Sequence, residues 1–193
     1  MSPALRASLT TGWPVMHGHA ITVRPLLPDD ADLVIALGKA LSPASLYQRF
    51  LSGGIKRNPQ LLDRLVNVDF GRDLALIATT TFAGEETSIG VARYARLEDD
   101  PNTAEVAITV SDAWHGCGVG TRLVRTLIDH AAASGIERLT GDVLATNVAM
   151  LALARSSGFR IAFHPDGGPL RLISLRLRDH EPAGRQAYEE QDL

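Results

Sequence analysis

The stretch WHGCGVGT, residues 114–121, has a glycine at every second position from 116 to 120 and lies between a strand pattern and a helix pattern. Glycine opens backbone conformations that other residues avoid, and it lets a ligand approach the main chain closely. Successive N–H groups in such a loop, followed by the positive end of a helix, converge on an anion. The stretch therefore predicts a strand–loop–helix unit that binds a phosphate-bearing ligand.

Two common phosphate-binding motifs do not fit this spacing. A P-loop places Lys and then Ser or Thr directly after its last glycine, whereas Thr121 and Arg122 follow Gly120. A dinucleotide-binding motif has a third glycine where Thr121 stands, and it belongs at the first strand of its domain. The loop instead lies beyond the midpoint of the chain, after several strand patterns. Both nucleotide-binding motifs are therefore excluded.

The loop resembles the acyl-CoA motif Q/R-x-x-G-x-G/A of the GNAT superfamily of N-acyltransferases, with His115 in place of the first Gln or Arg. The stretch ITVRPLLPDDADLV (21–34) is similar to the first strand and helix of that fold, and NVAMLALARSSGF (147–159) is similar to its late helix. SPASLYQRF (42–50) and AEVAITVSDAWHGCGVG (104–120) are most similar to the bacterial protein-lysine acetyltransferases, the Pat-like branch. The chain is therefore identified as a member of the superfamily, nearest to that branch.

Strand and helix patterns alternate along the chain and predict an α+β fold with a mixed sheet. The predicted strands are 21–24, 73–81, 88–97, 103–110, 136–144, 159–163 and 170–177, and the predicted helices are 30–40, 42–51, 59–66, 119 to the stop at Gly135, and 148–156. A polar turn at 83–87 joins two of the strands as an antiparallel hairpin. The resemblance implies the specific architecture: an α/β three-layer fold, a mostly antiparallel central sheet with helices on both faces, and acyl-CoA in the splay after the fourth predicted strand, 103–110.

The length and composition indicate one folded domain. The chain has 193 residues and is 45% hydrophobic, which is enough for a core. We expect residues 1–18 to form a flexible leader, residues 19–178 the acyltransferase domain, and residues 179–193 a polar tail. Residues 1–18 lack a continuous apolar stretch, so no signal peptide is predicted.

Composition also narrows the partners. The formal net charge of −3 provides no basic face for nucleic acid, and no apolar run approaches the roughly 20 residues that span a bilayer. The single cysteine, Cys117, suits the cytoplasm, where we expect the protein to be located. His17 and His19 lack neighbouring acidic or cysteine ligands, so no metal is assigned. The expected partners are acetyl-CoA and an amine acceptor, and a homodimer is a further expectation because dimers are common in the resembled family.

Glu105 is the candidate general base that removes a proton from the amine. It is the only acid in the strand 103–110, and glutamate is unfavourable in a strand unless its side chain has water or a partner. Period-two alternation puts it on the face opposite to Val106. In the resembled branch the catalytic glutamate occupies this position, ten residues before His115. The alternative is a strand residue that faces solvent or pairs with Arg93.

The coenzyme contacts follow from the resemblance. The backbone polar groups of Ile108 and Val110 correspond to those that pair with the pantetheine arm in the family. The diphosphate is expected to bind the backbone amides of His115, Gly116, Cys117, Gly118, Val119, Gly120 and Thr121. Asn147 has two compatible interpretations: it caps the helix that begins at Val148, or it binds the coenzyme as its counterpart does in the family.

Several side chains keep two interpretations. His115 either donates to a phosphate oxygen or points outward, and Cys117 is either a small tolerated residue or a reactive thiolate at a helix N-terminus. Ala154 stands where many family members have the tyrosine that protonates the leaving thiolate. Tyr47 and Tyr94 are either substitutes for it or packing residues, and a general acid is unnecessary if the CoA thiolate leaves without one.

The function that the resemblance implies is acetyl-CoA-dependent N-acetyl transfer to an amine by direct attack, with Glu105 as the base. The acceptor is a protein lysine, as in the most similar branch, or a small amine. Tyr47, Arg49 and Phe50 either line an acceptor groove or pack in the core. The alternative function is a non-catalytic acyl-CoA sensor or interaction module, against which Glu105 argues because a sensor needs no base there.

Overall fold

The sheet has eight strands in the part of the chain that the structure, a computed structural model, describes: residues 3–16, 18–50 and 66–177. In chain order the strands are β1 (Thr11–Met16), β2 (His19–Pro25), β3 (Leu74–Phe82), β4 (Glu85–Arg96), β5 (Thr103–Val110), β6 (Arg138–Leu144), β7 (Arg160–Phe163) and β8 (Leu170–Arg176). Their order across the sheet is β1-β2-β3-β4-β5-β6-β8-β7, and the described neighbours are antiparallel except β5 and β6, which are parallel. The mixed, mostly antiparallel sheet is therefore confirmed.

Helices cover both faces of this sheet. They are α1 (Pro3–Leu9), α2 (Ala31–Ala40), α3 (Pro43–Phe50), α4 (Val119–Ala133) and α5 (Val148–Ser156), with 3₁₀ turns at Pro28–Asp30 and Asp112–Trp114. Alternate residues of β3 show why: Leu74 and Leu76 pack in a core with α4, whereas Ala75 and Ile77 pack in a second core with α2. None of the helices in the described ranges is both long and apolar enough to cross a membrane.

Most element bounds agree with the sequence prediction because their signals are local. The strand 103–110 and the helix 148–156 have the predicted bounds. The predicted helix 59–66 lies outside the described residues apart from its last residue, and the polar tail 179–193 lies outside them entirely.

The β3–β4 hairpin turn is shorter than the polar stretch 83–87 suggests. Ala83 and Gly84 alone form the turn, with φ of +51° and +88°, and Glu85 already pairs with Phe82. Two consecutive positive φ angles match the right-handed twist of the flanking strands. The charged residues after Gly84 are therefore exposed strand residues.

The N-terminal segment differs from the flexible leader expected over residues 1–18. Helix α1 brings Leu9 into the first core, and β1 pairs with β2 at the edge of the sheet. The sequence pattern does not predict this strand, because it contains Gly12 and Pro14, and both residue types are depleted in strands. Proline is tolerated at an edge, where its missing N–H breaks no ladder bond. Strand 103–110 is therefore the fifth strand of the sheet and not the fourth.

Candidate active site

The sheet opens between β5 and β6. Their parallel pairing is limited to three pairs, Thr103 with Arg138, Ala104 with Leu139 and Glu105 with Thr140. Beyond Glu105 the two strands separate, while β6 continues its pairing with β8 up to Leu144. Within the described chain, residues 106–110 therefore have no strand neighbour on this side.

In β5, alternate residues point their backbone N–H and carbonyl groups into the opening. The N–H of Leu97 donates to the carbonyl of Thr103 at 2.9 Å. This bond shows which residues of β5 form hydrogen-bonded pairs with β4. Odd-numbered residues of β5 consequently bond to β4, and even-numbered residues point their N–H and carbonyl groups the other way. Ile108 and Val110 therefore present these groups to the opening, as a strand does to a missing neighbour.

A cleft of about 770 Å³ occupies this opening. Its lining includes most of the residues that the sequence predicted, namely Glu105, Ile108, Val110, His115, Gly116, Gly118, Gly120, Thr121 and Asn147. Cys117 and Val119 are buried in the core and do not line it. The cleft therefore brings the candidate base and most of the predicted coenzyme contacts to one place.

The loop between β5 and α4 leaves N–H groups free for an anion. Gly118 is the N-cap of α4 with φ of +77°, and Gly116 is also left-handed, with φ of +73°. Within the described chain no backbone carbonyl accepts from either residue. The first turn of an α-helix leaves its own N–H groups without intrahelical acceptors. We call the N–H groups of Gly116 and Gly118 and those of the first turn of α4 the amide cradle; N–H groups at a helix N-terminus can bind an anion.

Two of the seven predicted amides are used within the loop itself. The N–H of His115 donates to the Asp112 carbonyl at 3.2 Å, and the N–H of Cys117 donates to the Trp114 carbonyl at 3.4 Å. The Cys117 side chain is buried, and its thiol donates to the His115 carbonyl at 3.6 Å. Cys117 is thus a small packing residue and not an exposed thiolate.

The His115 ring is exposed and bonds to the end of β5, and its role toward a phosphate stays a prediction. Its Nε2 donates to the Val110 carbonyl at 3.0 Å, so the ring lies against the end of β5. This carbonyl is one of the groups expected to pair with the pantetheine arm. A carbonyl oxygen has two lone pairs, so it can accept from a second donor as well.

Gly120 serves packing rather than an unusual backbone angle. It lies in the first turn of α4, where a Cβ would be 3.1 Å from Leu153 Cδ2 and 3.7 Å from Val110 Cγ2. The missing side chain therefore lets α4, α5 and the end of β5 meet closely below the cleft.

Glu105 lies at the point where the strands separate. It is the last residue of β5 that pairs with β6, and its side chain is exposed at the cleft. Arg93, its alternative partner, instead forms an ion pair with Asp73 at 3.7 Å. Among the described residues no ion pair engages Glu105. Its carboxylate is therefore open to the cleft.

Asn147 is a helix cap, and it also reaches the cleft. Its side-chain oxygen accepts from the N–H of Met150 at 3.0 Å, which confirms the capping interpretation. Because Asn147 lines the cleft as well, the coenzyme-binding interpretation stays a prediction.

The two candidate general acids lie elsewhere. Tyr94 is 1% exposed and bonds to His130 Nδ1 at 2.8 Å; burial raises the pKa of this tyrosine and lowers the pKa of the histidine. Tyr47 is 57% exposed, which contradicts a core position, and neither tyrosine lines the cleft. The side chains of Arg49 and Phe50 lie outside the described residues. Ala154 is buried in the core.

Sequence reasoning missed four polar residues near the cleft, because no local pattern identifies them. Ser45 and Gln48 reach it from α3, and Asp142 reaches it from β6, with His164 Nε2 at 3.5 Å from its carboxylate. Asp112 lies in the turn before the loop and bonds to the start of α3. The Ser42 backbone N–H is the main cause of the lowered pKa of its carboxyl group, with help from the Ser45 and Ser42 hydroxyls.

Comparison with known proteins identifies the family. A sequence model of the Acetyltransferase (GNAT) family matches residues 56–159, more than half of the chain. The chain belongs to the GNAT acetyltransferase family. It is therefore an enzyme of the N-acyltransferase type, and the family uses acetyl-CoA as the acetyl donor.

Similar proteins agree with this GNAT assignment. An acetyltransferase of Pseudomonas aeruginosa is 32% identical over 160 residues, which cover 83% of this chain and 86% of the relative. Acetyltransferase Pat of Mycolicibacterium smegmatis is 34% identical over 136 residues, 70% of this chain but only 40% of that protein. The crystal structure of the GNAT domain of S. lividans PAT has a TM-score of 0.78 at 25% identity and covers 89% of this chain and 98% of that domain. This chain thus spans the S. lividans GNAT domain but less than half the length of Acetyltransferase Pat of M. smegmatis.

Proposed function

We propose that this enzyme transfers an acetyl group from acetyl-CoA to a primary amine, with Glu105 as the general base. The observation that carries the proposal is that an exposed carboxylate without an ion pair among the described residues stands where β5 and β6 separate. Glu105 accepts a proton from the amine, whose nitrogen then bonds to the acyl carbon. The carbon–sulfur bond breaks, and CoA leaves as a thiolate that takes up a proton.

The open side of β5 supports the binding of the coenzyme. The main-chain groups of Ile108 and Val110 would pair with the amides of the pantetheine arm. The free N–H groups of Gly116 and Gly118 and those of the first turn of α4 would bind the diphosphate. The cap uses only the side-chain oxygen of Asn147, so its Nδ2 group remains as a donor to the coenzyme.

The proposed acceptor is a positively charged primary amine, either a protein lysine or a small amine. The resemblance to the protein-lysine acetyltransferase branch favours a lysine. Glu105 and Asp142 both border the cleft, and two carboxylates raise the local concentration of a cation. We assign no general acid, because neither Tyr47 nor Tyr94 reaches the cleft. Cytoplasmic location and a homodimer remain part of the proposal.

The second candidate function is a non-catalytic acyl-CoA sensor. The same amide cradle would bind the coenzyme in that case, and no acceptor would be consumed. The two functions differ only in turnover, so a single assay separates them.

The test combines coenzyme binding with acceptor-dependent thiol release. The enzyme is incubated with acetyl-CoA and a panel of lysine peptides, spermidine and simple primary amines, and calorimetry measures CoA binding in parallel. We expect the Glu105→Gln variant to lose about 10²–10⁴-fold in kcat, the usual contribution of a general base, and to keep its Kd for CoA. Glu98→Gln, at an exposed site between β4 and β5, is the matched control.

The outcomes divide cleanly. Binding without acceptor-dependent thiol release would establish the sensor, and the absence of CoA binding would end both proposals. A Glu105→Gln enzyme with wild-type turnover would remove Glu105 from the mechanism while leaving acetyl transfer intact.

A further inference from the structure

We propose that Asp112 is a positioning residue that couples the coenzyme loop to the helix bordering the acceptor side of the cleft, α3. The inference rests on the proposed function, because it assumes that CoA binds the loop at 116–121 and that the acceptor enters beside α3. It adds a link between two segments that lie about seventy residues apart in the chain.

The side chain of Asp112 holds the start of α3 through three hydrogen bonds. Its Oδ2 accepts from the Ser42 backbone N–H at 3.0 Å. Its Oδ1 accepts from the Ser42 hydroxyl at 3.0 Å and from the Ser45 hydroxyl at 2.7 Å. The Ser42 hydroxyl in turn accepts from the Ser45 N–H at 3.2 Å, as an N-cap does. The carboxylate is therefore the common acceptor of the first turn of α3.

The main chain of Asp112 lies just before the coenzyme loop and is bonded to its start. Asp112 begins the 3₁₀ turn Asp112–Trp114, and its carbonyl accepts from the N–H of His115, the residue directly before the loop 116–121. A shift of the loop on binding CoA would consequently move the carboxylate that holds α3. The movement can pass directly from the loop to α3. The main chain of Asp112 is bonded to the residue before the loop, and its side chain is bonded to α3.

The far end of this link reaches the cleft. Ser45, which bonds to the carboxylate, lines the cleft together with Gln48, one turn further along α3. The position of α3 therefore sets one wall of the cleft. If CoA binding fixes the position of α3, this wall takes the shape that the acceptor needs only when acetyl-CoA is bound.

The chemistry of the bonds makes Asp112→Asn the informative change. A carboxylate only accepts, and all three groups that face it donate. Asparagine puts an NH₂ group in place of one oxygen, so at least one donor of α3 would face another donor. The change leaves side-chain volume nearly constant and retains the backbone carbonyl that accepts from His115.

The experiment measures amide hydrogen exchange of the whole protein with and without CoA. In the wild type we expect CoA to slow exchange in the loop, 116–121, and to slow exchange in α3 at residues 44–48 by at least about fivefold, the lower end of usual coupling between sites. In Asp112→Asn the loop should keep its protection by CoA, and the protection of α3 should be lost. Asp99→Asn, at an exposed position between β4 and β5, should behave as the wild type.

The results separate this inference from the proposed function. If CoA leaves the loop unprotected in the wild type, the coenzyme site itself is wrong. If CoA protects the loop but α3 is unaffected, or equally protected in Asp112→Asn, the coupling is refuted while the coenzyme site stands. Should Asp112→Asn fail to fold, Ser45→Ala removes the shortest of the three bonds from the α3 side, and it should reduce the CoA-dependent protection of α3; unchanged protection would refute the coupling.

Discussion

The amide cradle predicts a specific outcome for Gly118→Ala. Gly118 has φ of +77°, and a Cβ there would have no heavy atom within 4 Å. The intramolecular cost of the alanine is therefore the left-handed conformation alone, roughly 1–2 kcal/mol. In a chain of this size each kcal/mol lowers Tm by about 2–4 °C, so we expect a loss of about 2–8 °C.

Gly135→Ala is a matched control at the other end of the same helix. Gly135 has φ of +76° and equally open space for a Cβ, and it follows the last turn of α4, far from the cleft. Its Tm should fall by the same amount, because the strain is the same. A difference in CoA affinity between the two variants therefore reports the cradle and not the fold.

The magnitude of that difference follows from the contacts that a methyl group would displace. The Cβ of Gly118→Ala would project into open space at the lining of the cleft, which the diphosphate is proposed to fill. Losing one charge-assisted hydrogen bond costs about 1.5–3 kcal/mol, which corresponds to a rise of about 10- to 150-fold in the Kd for CoA. Gly135→Ala should bind CoA as the wild type does.

Calorimetry with CoA and thermal unfolding without ligand measure the two quantities. Pantetheine, which lacks the diphosphate, is the control ligand, and its affinity should be the same for wild type and Gly118→Ala. If Gly118→Ala loses the predicted stability but binds CoA with wild-type affinity, the amide cradle does not hold the diphosphate and the reasoning fails.

Two further predictions concern side chains around the site. Asn147→Ser keeps a capping oxygen but loses the Nδ2 donor, so it should unfold near the wild-type Tm and bind CoA more weakly. Asn147→Ala should bind CoA more weakly and also lose about 1 kcal/mol of stability. If wild type and Asn147→Ser bind CoA with equal affinity, the only role of Asn147 is to cap the helix. Burial lowers the pKa of His130, so below pH 6.5 the unfolded chain takes up a proton that the folded chain resists. Stability should therefore fall as the pH drops from 6.5 to the folded-state pKa, and thermal unfolding across pH 5–7.5 should show a smaller fall in His130→Asn. An identical pH dependence in the variant would contradict the assignment.

Local features were predictable because their causes are local. The alternation of β5 places Glu105 and Val106 on opposite faces, the glycines around residue 118 indicate a loop before a helix, and Asn147 indicates a helix cap. Each of these signals depends on residues within one turn or one strand, so the sequence carries it directly.

Non-local features were not predictable in this way. Strand β1 became part of the sheet because Leu9 and Trp13 found apolar partners in the core, despite a proline that argues against a strand. Tyr94 was brought against His130 and away from the cleft by the packing of α4 on β4.

The sequence by itself therefore determined the family, the glycine loop and the identity of the candidate base. Only the tertiary structure decided that β5 loses its neighbour after Glu105, that Asp142 shares the cleft, and that Asp112 meets Ser42. The physical reason is that each of these features depends on how segments far apart in the chain lie relative to one another. They depend on where whole strands and helices pack, and no pattern within either segment encodes them.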